Sequence, residues 1–123
     1  MSKIDISEST VCIHLESDED VWFWERRFNV FDFLEIFPAT AIAPSAAEDQ
    51  TPPAASIQLT FETDAGFKFE SDIVRDGFFL RNQSHGTRKW MSTREVSAGD
   101  TIAIERLDET TYRLSKQSPG DSA

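Results

Sequence analysis

Apolar and polar residues alternate over residues 10–16, TVCIHLE, with Val11, Ile13 and Leu15 on one face and Thr10, Cys12, His14 and Glu16 on the other. That two-residue period predicts a half-buried strand. The alternation recurs over residues 57–63, where Ile57, Leu59 and Phe61 share a face. Residues 67–73, 77–81, 87–91, 101–107 and 111–115 read as further short strands, separated by the turn-forming stretches TDAG, RDG, SHG, AGD and LDET. Strands at this spacing predict a barrel or sandwich.

Helical spacing is scarcer. Phe33, Leu34 and Phe37 form a stripe at i, i+1 and i+4, behind Asn29, which suits a cap, and ahead of Pro38, which has no N–H to continue a helix. A short helix is expected there. STRE at residues 92–95 has capping-box spacing and predicts one helical turn before the Gly99–Asp100 turn. VWFWERRF at residues 21–28 is too aromatic for a loop and too short for its period to separate strand from helix; strand is favoured. Residues 39–56, ATAIAPSAAEDQTPPAAS, hold few large side chains and read as a long internal loop. The expected organisation is therefore one domain over residues 1–115, with residues 116–123 a disordered tail.

Composition changes this picture in two respects. With ten Phe and three Trp in 123 residues, the chain can build a core without covalent staples, and its single cysteine, Cys12, could not form an internal disulfide. The lone Cys, the lack of an apolar run as long as a membrane span and the absence of a signal sequence at Met1 predict a cytoplasmic protein with no membrane association. Net charge is −10, which argues against phosphate-bearing partners until its distribution is considered. Residues 1–65 hold 13 acidic against 3 basic side chains, whereas residues 66–123 hold 9 of each. Between residues 75 and 94, Arg75, Arg81, Arg88, Lys89 and Arg94 face only Asp76. A basic island stands on an acidic protein.

Catalytic chemistry finds few partners. Cys12 and His14 could supply two metal ligands, but a zinc site needs three or four, and no Cys-x-x-Cys or His-x-x-x-His spacing accompanies them. The His-x-Glu of residues 14–16 lacks the Pro-Cys-x-x-Cys that a deaminase requires. Ser84 and His85 are adjacent in a turn and point apart, which is the wrong arrangement for a nucleophile and its base. None of Lys3, Lys68, Lys89 or Lys116 lies two residues after an acid, as an Asp…Glu-x-Lys nuclease needs, and the five glycines make no phosphate loop. No enzyme activity, cofactor or metal is expected.

What remains is RNQSHGTRKWMSTR at residues 81–94. As two strands and a polar turn it would project Asn82, Gln83, Ser84, His85 and Thr87 between Arg81, Arg88 and Lys89. Guanidinium and ammonium groups can hold phosphates, Arg, Asn and Gln can read base edges, and a two-stranded ribbon fits the major groove. Trp90, next to Lys89, is read as core.

The order of motifs FLEIFPATAI at 33–42, SDI at 71–73, FFLR at 78–81, RKWM at 88–91 and VSAGDTIAIERLDETTYRLS at 96–115 resembles the DNA-binding pseudobarrel superfamily. Its members include the recognition domains of EcoRII-type restriction endonucleases and related plant transcription-factor domains. The resemblance implies a mainly β fold, a seven-stranded open pseudobarrel with one or two short helices, that grips double-stranded DNA between an N-terminal and a C-terminal arm. By position the C-terminal arm falls on Arg81 to Lys89, and Arg26 and Arg27 are the nearest basic residues to an N-terminal arm. The competing expectation is an acidic protein-interaction module, with ESDED at 16–20 beside the aromatics of 21–28, or a mimic of DNA.

Overall fold

The computed structural model describes residues 3–43, 57–75 and 77–117. Its main body is a six-stranded sheet built from β1 (Lys3–Ser7), β2 (Thr10–His14), β4 (Leu59–Thr63), β5 (Lys68–Ser71), β8 (Thr101–Arg106) and β9 (Thr111–Gln117). They lie in the order β1-β2-β8-β9-β4-β5, and every pairing is antiparallel except β4 with β9. A three-stranded sheet joins β3 (Ile42–Ala43), β6 (Ile73–Val74) and β7 (Phe79–Leu80), with β3 and β6 parallel. The fold is mainly β, and among the described residues neither sheet closes on itself.

The alternation at residues 10–16 works as read. Val11, Ile13 and Leu15 are buried, and Ile102, Ile104, Leu114, Tyr112, Phe61 and Leu59 continue the same inner face across the sheet. Phe37 lies 4.9 Å from Tyr112, and Phe61 stacks 5.0 Å from Phe69, so ring packing fills the space under the sheet. Tyr112 also donates its hydroxyl to the Ile36 carbonyl at 2.7 Å, and burial pushes its phenol up to about 12.

Residues 21–28 are not a strand. They form most of helix α1 (Asp18–Arg26), with Ser17 as its cap: the Ser17 hydroxyl accepts from the Asp20 amide at 3.3 Å, and the Asp20 carboxylate accepts from the Glu16 amide at 2.9 Å. The second bond holds the Asp20 carboxyl below the usual range. Three acids in the first turn and Arg26 in the last suit the helix dipole, and together with the cap they outweigh the preference of aromatic residues for strands. Trp24 is the buried aromatic of α1, 5.1 Å from Phe28.

Residues 87–91 are also helical, as part of α2 (Thr87–Thr93). Thr87, Trp90 and Met91 are its buried residues, at i, i+3 and i+4, and this spacing overrides the local alternation of Lys89 with Trp90. The single turn read at 92–95 is therefore the end of α2 and the turn that follows. The helix expected behind Asn29 is a 3-10 segment, Phe31–Ile36, and Asn29 accepts from the Phe31 amide at 2.8 Å. The long strand expected at 67–73 is split at Asp72 into β5 and β6. Of the loop expected at 39–56, Ala39–Ala41 is a 3-10 turn and Ile42–Ala43 is β3, while residues 44–56 lie outside the described residues. Lys116 is part of β9 rather than a frayed tail, its amide donating to Asp64 at 3.0 Å; residues 118–123 lie outside the described residues.

Candidate nucleic-acid interface

The expected ribbon at residues 81–89 does not form: six turn residues, 81–86, lead directly into α2. Its side chains part company as a result. Arg81 points inward, and its Nε donates to Asp72 Oδ1 at 2.6 Å and its terminal nitrogen to Asp72 Oδ2 at 3.1 Å, with both side chains buried. The Arg81 amide also donates to the Asp72 carbonyl at 3.1 Å. This two-pronged pair pins the corner that splits β5 from β6 and holds the Arg81 guanidinium inside the protein rather than at a ribbon's surface.

Gln83 and Thr87 also point inward rather than projecting from a ribbon. Gln83 is buried and its side-chain oxygen accepts from the Phe28 amide at 2.7 Å, tying the turn to the segment after α1. Thr87 is buried at the start of α2, its hydroxyl without a hydrogen-bond partner. Asn82 is half-buried, its amide donating to the Ser71 hydroxyl at 2.9 Å and its side chain to the Glu70 carbonyl at 3.1 Å. Ser84 is half-buried and His85 exposed, which leaves these two at the tip of the turn.

Three of the other basic residues converge. Arg26 in the last turn of α1, Arg27 at its C-cap and Arg88 in the first turn of α2 line one groove of about 460 Å³ with Trp22 and Phe23. The Arg88 guanidinium donates to the carbonyls of Glu25 at 3.1 Å and Arg26 at 3.4 Å, capping the negative end of the α1 dipole. Arg26 lies 4.7 Å from the Trp22 ring centre, Arg27 4.3 Å from that of Phe79, and Lys89 4.7 Å from that of Phe67. Stacking of this kind limits side-chain freedom while leaving the charge at the surface, so less entropy is lost when an anion arrives.

The fold thus brings together Arg26, Arg27 and Arg88, separated by about sixty residues in the chain, and removes Arg81 from them. Arg94 is likewise engaged, its Nε 3.2 Å from Asp64 Oδ2, on the carboxylate that accepts the Trp90 indole at 2.7 Å. Two partnerships escaped the sequence reading, Asp72 with Arg81 and Phe79 with Arg27. Neither carries a signal in the sequence, since Asp72 follows Glu70 and Ser71 in the mixed run KFESDIVRD.

Elsewhere, His14 is held across strands, with Nδ1 3.0 Å from Thr101 Oγ1 and Nε2 2.9 Å from Asp5 Oδ2. Cys12 is half-buried on the same face, and burial raises its thiol pKa. Among the described residues no group of three or more His, Cys, Asp or Glu is placed to hold a metal, and no helix is long and apolar enough to cross a membrane. Comparison with protein-family models, with curated proteins and with solved structures found no match to this chain.

Proposed function

We propose that this chain is a non-catalytic domain of pseudobarrel type that binds double-stranded DNA in the cytoplasmic compartment, holding phosphates with Arg26, Arg27, Arg88 and Lys89. The observation that carries this reading is the convergence of three guanidinium groups on one groove of a protein whose net charge is −10. Diffuse basicity cannot explain such a site, because the surrounding charge opposes it. In this reading the α1–α2 junction lies against the DNA backbone, and Ser84 and His85 at the turn tip reach toward base edges, in place of the ribbon.

Four phosphate contacts give a log–log salt slope near −3.6. The test is binding of the intact protein to a randomised duplex pool, followed by fluorescence anisotropy from low to moderate salt. Arg88 also caps α1, so the charge-removal variant is Arg26→Gln with Lys89→Gln, its fold checked by circular dichroism. It should weaken binding and reduce the slope by about 1.8. No binding at low salt, or an unchanged slope in the variant, overturns the reading.

A further inference from the structure

A second groove, of about 610 Å³, shares the exposed Trp22–Phe23 ridge with the first. Ile4, Trp22, Phe23 and Trp24 form its apolar lining, and Glu19 and Asp32 stand among them. Trp22 is 59 % exposed and Phe23 51 %. Aromatic rings this bare are costly in water and are the residues that dominate interface energetics when covered. Trp24 is the aromatic that α1 buries, whereas Trp22 carries Arg26 on its ring and Phe23 meets Trp24 edge-on at 6.0 Å, each keeping about half its surface bare.

The charge around this groove selects its occupant. Asp18 and Glu19 in the first turn of α1 and Asp32 in the 3-10 segment are exposed acids, and no basic residue is among those that line the groove. DNA is repelled here, and so is a second copy of a chain carrying a net charge of −10. A volume in this range takes a few bulky side chains, as in recognition of an amphipathic helix by a groove. We propose that this groove docks a basic amphipathic helix of a protein partner, seating an apolar side chain between Trp22 and Phe23 with Lys or Arg on its flanks facing Glu19 and Asp32. The proposal does not require DNA binding, although Trp22 and Phe23 line both grooves.

The test is calorimetric titration of the intact protein with a synthetic amphipathic peptide of Leu and Lys. Two controls accompany it: a scrambled peptide of equal composition and a Leu and Glu peptide of equal pattern. The amphipathic Leu and Lys peptide should bind saturably and the controls weakly. Trp22→Ala with Phe23→Ala should weaken binding at least about tenfold, as truncation of interface hot spots does. Glu19→Gln with Asp32→Asn should weaken it less and flatten its dependence on salt. The substituted side chains are exposed, so circular dichroism and thermal midpoint should be preserved. Three results overturn the proposal: no binding, equal binding of the scrambled peptide, or retention by the Trp22/Phe23 variant within about twofold. Self-association in sedimentation experiments that the same variant abolishes also overturns it, by assigning the groove to a second copy.

Discussion

Arg81 shows how far residue type alone can mislead about position. A lone Arg among polar neighbours has the chemistry of a phosphate contact, yet here its guanidinium is spent on Asp72 inside the protein. Charge is visible in a sequence and burial is not: Asp72 stands in the mixed run KFESDIVRD, which gives no sign that it is buried. Removing one member takes the ion-pair partner from a buried charge, which costs about 3–5 kcal/mol. Arg81→Met is therefore expected to lower unfolding free energy by that amount in urea titration, and Arg81→Met with Asp72→Leu to recover most of it. A loss below about 1 kcal/mol in the single variant would place the pair with surface ion pairs instead.

The local pattern favours strand for both α1 and α2, for different reasons: the aromatics of residues 21–28 suit either state over so short a window, and in 87–91 Trp90 alternates with Lys89. The decisive signals were at the ends, where Ser17 and Asp20 cap α1, and in the i, i+3, i+4 burial of Thr87, Trp90 and Met91 in α2. Strands with clean alternation, such as β2 and β4, were legible because a half-buried face leaves its period in the residues themselves.

Gly86, immediately before α2, makes the packing at this junction testable. A Cβ there would lie 2.5 Å from the Phe69 ring and 2.6 Å from the Asn82 carbonyl oxygen, whereas one at Gly66 would meet nothing within 4 Å. Gly86→Ala should cost about 2–3 kcal/mol through overpacking. Gly66, at φ +88°, tests backbone strain alone, and its replacement by Ala should cost about 1 kcal/mol. Thermal or urea denaturation that ranks the two variants in the opposite order would contradict this account of the junction.

At the scale of the whole molecule, the mainly β class was legible, while the arrangement of charge was only half so. The acidic excess and the basic island are properties of the chain, but the groove of Arg26, Arg27 and Arg88 exists only after folding has joined α1 to α2. Tyr112 is a comparable long-range tie, linking the large sheet to the Ile36 carbonyl. Because folding raises its pKa to about 12, the neutral phenol's contribution to stability is complete below about pH 10 and is lost as pH climbs through about 12. It is the chain's one tyrosine, so phenolate absorbance reports it without overlap. Native protein should titrate well above the urea-unfolded chain; coincident midpoints would show that the phenol is not buried.

The Trp22 ridge has one more consequence. The three indoles are sorted by solvent, Trp22 at 59 % exposure against 5 % for Trp24 and 0 % for Trp90. A neutral collisional quencher such as acrylamide therefore meets one emitter in the native state, and a red-shifted one. The quenchable fraction of the emission follows events at the ridge, while the blue-shifted remainder follows the core, so the unlabelled protein carries separate optical signals for docking and for unfolding.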